Sequence, residues 1–122
     1  MNQLKATLVL GASTNPERYA YLATQKLRSQ GHPVTLVGNK HGFLDNLEIH
    51  TEIPQNVKID TVTLYIGPNN QANWYDEIIR LAPKRIVFNP GTENPTLRNL
   101  AQKNEIETID ACTLVMLSLG NY

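Results

Sequence analysis

Four short stretches carry residue types suited to binding rather than packing. The first, Gly11-Ala12-Ser13-Thr14-Asn15-Pro16-Glu17-Arg18, places a glycine and small hydroxyl and amide residues between an apolar run and a helical pattern. Small side chains let backbone N–H groups approach a phosphate, and a helix N-terminus adds partial positive charge. The same string also makes a plain turn with Ser13, Thr14 or Asn15 capping the helix, and the full Gly-x-Gly-x-x-Gly pattern is missing. The second stretch, Gly38-Asn39-Lys40, follows the next apolar run. NAD-binding domains usually place an Asp or Glu there to hold ribose hydroxyls. Here no carboxylate is present, and Lys40 favours a ribose phosphate of the kind coenzyme A and NADP both carry; a solvated loop lysine is the alternative.

The third stretch, Ile66-Gly67-Pro68-Asn69-Asn70, forces a turn with little side-chain bulk, an edge against which an adenine or pantetheine arm could lie. The fourth, Asn89-Pro90-Gly91-Thr92-Glu93-Asn94, is again glycine-containing and polar. Either one is also what an ordinary turn requires. Cys112 stands before a helical pattern, where a helix N-terminus can activate a thiol, although free cysteines are more often inert and buried. His32 reads as a surface residue at a turn, and His41 and His50 fall in a weakly patterned loop. None of the three has the clustered partners that a metal site needs. Trp74 beside Tyr75 suits stacking on a ring, or packing on the sheet or a second subunit.

The elements that must position these stretches alternate between strand and helix. Ala6 to Leu10, Pro33 to Val37, Thr61 to Ile66, Arg85 to Phe88 and Glu107 to Ile109 are short apolar or β-branched runs, with a further short strand possible near Leu47 to Thr51. Between them, Tyr19 to Gln30 puts Ala20, Ala23 and Leu27 on one helical face and stops at Gly31. Tyr75, Ile78, Ile79 and Ala82 follow the same template. Asn94-Pro95 supplies an N-cap and first-turn proline for a helix bearing Leu97, Leu100 and Ala101, and Leu114 to Leu119 forms a last helix ended by Gly120. This order implies an α/β fold: a Rossmann-like, doubly wound, mostly parallel sheet of about five strands with helices on both faces. Ligands of such sheets bind beyond the carboxyl ends of the strands, where all four stretches fall.

The 122 residues are read as one domain, 1–122, with 41% hydrophobic and 18% charged residues. Eleven basic residues balance eleven acidic ones, which argues against a nucleic-acid or anionic-membrane partner, so any anion is bound locally. Met1-Asn2-Gln3-Leu4-Lys5 runs into the first strand without a leader-like apolar core, and the single cysteine excludes an internal disulfide. A cytoplasmic location is the expectation.

Taken together, Val9-Leu10-Gly11-Ala12-Ser13, Asn15-Pro16-Glu17-Arg18, His32-Pro33-Val34, Asn89-Pro90-Gly91 with Asn94, and Asp110-Ala111-Cys112 resemble the small stand-alone CoA-binding proteins. That family resembles in turn the CoA-binding domain of the succinyl-CoA synthetase α subunit. The resemblance runs from Lys5 to about Thr113. It implies that Gly11, Ala12, Ser13 and Thr14 meet phosphates with Arg18 near them. It also implies that Gly38, Asn39 and Lys40 meet the 3′-phosphate end, and that Ile66, Gly67, Pro68, Asn89, Pro90 and Gly91 line the rest of the ligand. The chain has Gly38-Asn39 where the family commonly has Asn-Pro, and the serine often found after the arginine is replaced around Ala20. The larger synthetases keep their phosphorylated histidine in a further domain that these residues do not build. The expected function is a non-catalytic coenzyme A binding module, acting as a homo-oligomer or for a partner enzyme. An NADP-type redox or sensor protein and an acyl- or thiol-transfer enzyme using Cys112 stand as alternatives.

Overall fold

Strand side chains alternate between faces, so a strand flanked by helices on both sides is buried throughout. The computed structural model describes residues 3–122, and its central strands follow this rule; Met1 and Asn2, part of the segment read above as leaderless, lie outside the described residues. Strands β1 (Thr7–Leu10) and β5 (Thr61–Leu64) are buried at every position. Leu8, Leu10, Val62 and Leu64 face one core, and Val9 faces the other. The remaining strands are β2 (Val34–Val37), β3 (Gly42–Leu44), β4 (Leu47–His50), β6 (Arg85–Phe88) and β7 (Glu107–Asp110).

The sheet therefore has seven strands rather than about five, in the order β3-β4-β2-β1-β5-β6-β7. All neighbouring pairs are parallel except the antiparallel β3–β4 hairpin at one edge. Setting that hairpin's outer strand aside, the order is the one that reverses direction beside the first strand and opens a crevice there. Here the reversal lies between β1 and β5, which both continue into loops at their carboxyl ends.

Four helices cover the two faces. α1 (Tyr19–Ser29) and α4 (Thr113–Leu119) bury Ala20, Leu27, Met116 and Leu117 on one side. α2 (Tyr75–Leu81) and α3 (Pro95–Lys103) bury Ile78, Leu97 and Ala101 on the other. Asn94 caps α3 as its sequence predicts, its Oδ1 accepting from the N–H groups of Thr96 and Leu97 at 3.0 and 3.2 Å. Ala82 departs from the predicted stripe: it takes a left-handed conformation with φ of 49° and closes α2 instead of packing in it. No helix bridges β4 and β5, and Ile53, Val57 and Ile59 from that irregular segment cover the sheet instead. Among the described residues, no helix is long and apolar enough to cross a membrane.

His32, expected at the surface, is 6% exposed. Its Nδ1 accepts the Lys5 N–H at 2.9 Å, and its ring meets Tyr122 edge-on with centroids 5.1 Å apart. Burial, reinforced by the charges of Lys5 and Arg85, holds its imidazole below the usual histidine value. The unfolded chain thus takes up a proton that the folded chain resists, and stability is lost as pH falls through the unfolded value of about 6.5. Urea unfolding should show a smaller free energy at about pH 5 than at about pH 7. His32→Asn, which keeps an acceptor for Lys5, should flatten the His32 share of that slope; an unchanged slope would show that other groups cause it.

Candidate functional site

The carboxyl ends of β1, β2, β5 and β6 open into one cleft of about 720 Å³. Its geometry begins with two glycines. Gly11 has φ of +104°, and a Cβ there would lie 2.9 Å from the Tyr65 carbonyl carbon and from Ile66 Cγ2. At Gly38 a Cβ would lie 2.6 Å from the Ala12 carbonyl oxygen. Both positions exclude a larger side chain, because the loops after β1, β2 and β5 touch backbone to backbone.

The closeness decides which amides of the loop are already bonded. The Val37 carbonyl accepts the N–H groups of both Gly11 and Ala12, at 2.8 and 2.9 Å. Those two amides are spent on the fold. The Ser13 and Thr14 N–H groups have no acceptor among the described residues. The Ser13 hydroxyl accepts from Asn15 N–H at 3.0 Å and Asn15 Oδ1 accepts from Glu17 N–H at 3.0 Å, which folds the loop back toward α1. No side chain caps α1, whose N-cap is Arg18, and no acid stands in its first turn. The capping role open to Ser13, Thr14 or Asn15 is therefore not taken up, and α1 presents an uncompensated positive end beside Arg18, Tyr19 and Ala20 of the cleft wall.

The opposite wall comes from Gly38, Asn39, Lys40 and His41. From the β5 and β6 side come Tyr65, Ile66, Asn70, Asn73, Trp74, Pro90 and Thr92, with Ile49 at the base. The fold thus brings together ten of the fourteen predicted residues: Gly11, Ala12, Ser13, Thr14, Arg18, Gly38, Asn39, Lys40, Ile66 and Pro90. Gly67, Pro68, Asn89 and Gly91 flank the cleft without lining it. Trp74 and Thr92 join them from positions already noted in the sequence, whereas Tyr19, His41, Tyr65 and Asn73 are additions that no local motif marks.

Asn89 is 3% exposed, and its side chain is committed within the fold. Its Nδ2 donates to Thr63 Oγ1 at 2.7 Å and the Leu64 carbonyl at 2.8 Å, while its Oδ1 accepts the Thr113 N–H at 2.8 Å. It ties the ends of β5 and β6 to the start of α4. Gln71 does the same for the loops above them. It lies between two 3₁₀ turns, Pro68–Asn70 and Ala72–Trp74, and donates from Nε2 to the carbonyls of Ile66 and Thr92 at 3.0 and 2.8 Å. Asn94 Nδ2 donates to Gln71 Oε1 at 2.9 Å and to the Tyr75 hydroxyl at 2.8 Å. The stretch carrying Asn70, Asn73 and Trp74 is thereby bound to the stretch carrying Pro90 and Thr92.

Charge in the cleft is one-sided. Arg18, Lys40 and His41 line it, and no Asp or Glu does. Neither Arg18 nor Lys40 is ion-paired among the described residues. Burial pushes the Tyr65 phenol up to about 12, so it stays neutral at neutral pH and is not a base. Cys112 is half-buried at the start of α4 and is not part of the lining.

A family described as "CoA binding domain" matches residues 5–118. Among solved structures, an uncharacterized protein is 48% identical, with a TM-score of 0.95 over 99% of this chain and 100% of its own. A hypothetical protein from Pyrococcus horikoshii OT3 is 21% identical with a TM-score of 0.88, over 96% of this chain and 84% of that one. The dinucleotide-forming acetyl-coenzyme A synthetase 1 of Ca. Korarchaeum cryptofilum is 17% identical with a TM-score of 0.73; the match takes in 88% of this chain and 26% of that one. The last two likenesses are of fold alone. No curated protein matches the sequence.

Asn89→Ala removes a donor and an acceptor from three buried partners and should lower the unfolding free energy by about 2–4 kcal/mol. Pro90→Ala, at an exposed neighbour, should change it by less than about 0.5 kcal/mol. Urea midpoints at constant slope would measure both, and an Asn89→Ala variant as stable as the parent would contradict its role as a tie.

Proposed function

The chain belongs to the CoA-binding domain family, and from that premise we propose that it binds coenzyme A in this cleft as a module with no chemistry of its own. The observation that carries the reading is the combination of three basic side chains and no acid in the lining. A chain with no net charge has concentrated positive charge where a polyanion would sit.

The residues present fit such a ligand in three zones. The Ser13 and Thr14 amides, the open end of α1 and Arg18 suit a pyrophosphate. Lys40, at the far rim, suits a ribose phosphate, with Gly38 and Asn39 keeping the wall there low. Ile66, Pro90 and Trp74 offer apolar and aromatic surface to the uncharged parts of the ligand. Gly67, Pro68, Asn89 and Gly91 then act as supports that shape the β5 and β6 loops. Coenzyme A, when bound, would bring its own thiol as the reactive group.

The absence of Cys112 from the cleft wall weighs against thiol or acyl transfer through that residue. The module would sequester coenzyme A or present it, as a homo-oligomer or to a partner enzyme, in the cytoplasm. NADP shares the ribose phosphate that Lys40 would read and is the natural competitor to test.

Calorimetric titration with coenzyme A, 3′-dephospho-coenzyme A, NADP and NAD discriminates among these ligands. Coenzyme A should bind tightest, and loss of its 3′-phosphate should weaken binding about ten-fold. Lys40→Ala should erase most of that difference. Gly38→Ala, by pushing on the Ala12 carbonyl, should weaken all four ligands that share the pyrophosphate. No measurable coenzyme A binding would overturn the proposal, and equal affinities for the two coenzyme A forms would overturn the role of Lys40.

A further inference from the structure

Resting on the coenzyme A reading, we propose that His41 is a second reader of the ligand's ribose phosphate, acting beside Lys40 and taking up a proton as the phosphate binds.

His41 lines the cleft next to Lys40, just before β3. Although its side chain is 58% exposed, the ring is held from two directions. Its Nε2 is 2.9 Å from Glu48 Oε2, and its edge meets the Phe43 ring with centroids 5.6 Å apart and planes at 79°. Phe43 and Glu48 face each other across the β3–β4 hairpin, so one rigid pair of strands sets both contacts. A hairpin anchored in one core by Leu44 and Ile49 thus fixes the orientation of an imidazole at the cleft rim.

The hydrogen-bond chemistry then selects the free nitrogen. An ionised carboxylate only accepts, so the proton between His41 and Glu48 sits on Nε2. Nδ1 remains for a ligand, with no protein partner among the described residues. In the neutral ring Nδ1 is an acceptor and opposes a phosphate oxygen. In the imidazolium it is a donor, and a phosphomonoester dianion at this rim favours that charged form. Binding the phosphate therefore favours a proton on Nδ1, which then donates to a phosphate oxygen.

The charged groups around His41 make this workable. Glu48 contacts it from β4, Lys40 adjoins it in the same loop, and Arg18 stands on another wall of the same cleft. Glu48 offsets the repulsion that Lys40 and Arg18 exert on a positive ring. The phosphate adds a second anion on the other side, completing a carboxylate–imidazolium–phosphate row.

The test is calorimetric titration of the intact protein, near neutral pH, in two buffers of different ionisation enthalpy. Coenzyme A should bind with net proton uptake, and 3′-dephospho-coenzyme A with none. His41→Gln should abolish the uptake and reduce the preference for the 3′-phosphate form roughly two-fold, with the melting temperature unchanged. Lys40→Ala should reduce the preference while leaving the uptake in place. A His41→Gln variant that keeps both preference and uptake overturns the proposal, reducing the pair with Glu48 to a hairpin contact. NADP and NAD serve as a second pair of ligands. Uptake and preference seen only for NADP would overturn the coenzyme A reading and support His41 as a phosphate reader; coenzyme A binding without either would do the reverse.

Discussion

The close approach of the loop after β1 to the loop after β2 governs the rest of the site. One carbonyl, that of Val37, accepts two successive amides from Gly11 and Ala12, and Gly38 leaves the Ala12 carbonyl no room for a Cβ. This crossing satisfies two backbone donors that the end of β1 would otherwise leave exposed. It also turns the chain so that the next two amides, those of Ser13 and Thr14, are left without acceptors at the mouth of the crevice. A parallel sheet whose order reverses beside β1 supplies the crevice, and the crossing supplies the donors within it.

The other side of the cleft is built by a different means. The loops after β5 and β6 contain no regular ladder, so their polar backbone groups need side-chain partners. Gln71, Asn89 and Asn94 provide them, each buried and each joining two loops or a loop to a helix. Such a network is costly if one member is missing, because the freed partners lie away from water. Its consequence is a rigid support for Trp74, Pro90 and Thr92, so that one wall is backbone-defined and the facing one amide-defined.

Electrostatics act locally within a chain of no net charge. The sorting of basic residues into the cleft comes from separate elements: Arg18 from the approach to α1, Lys40 and His41 from the turn between β2 and β3. Of the acidic residues near these elements, Asp45 is engaged with Arg28 and Glu48 with His41. The uncapped end of α1 adds to the same field. Positive charge is thus concentrated locally in a molecule that carries no net charge.

Much of this was legible in the linear sequence, because it depends on neighbours a few residues apart. Apolar spacing located all four helices, β-branched runs located β1, β2 and β5 to β7, and Asn94-Pro95 located the start of α3. The glycine after β1, Lys40 after β2 and the family resemblance pointed to the crevice. What tertiary structure alone decided depends on residues far apart in the chain. β3 is three residues long, too short for any periodicity, and exists because it pairs with β4 at the sheet edge. His32 is buried by Lys5 and Tyr122, which lie near opposite ends of the chain. Asn89 reads as a turn residue, yet its bonds to Thr63, Leu64 and Thr113 make it a tie. Local sequence marks where most strands and helices lie; where some of them end, which amides remain free and which side chains share a cavity follow only from how those elements approach one another.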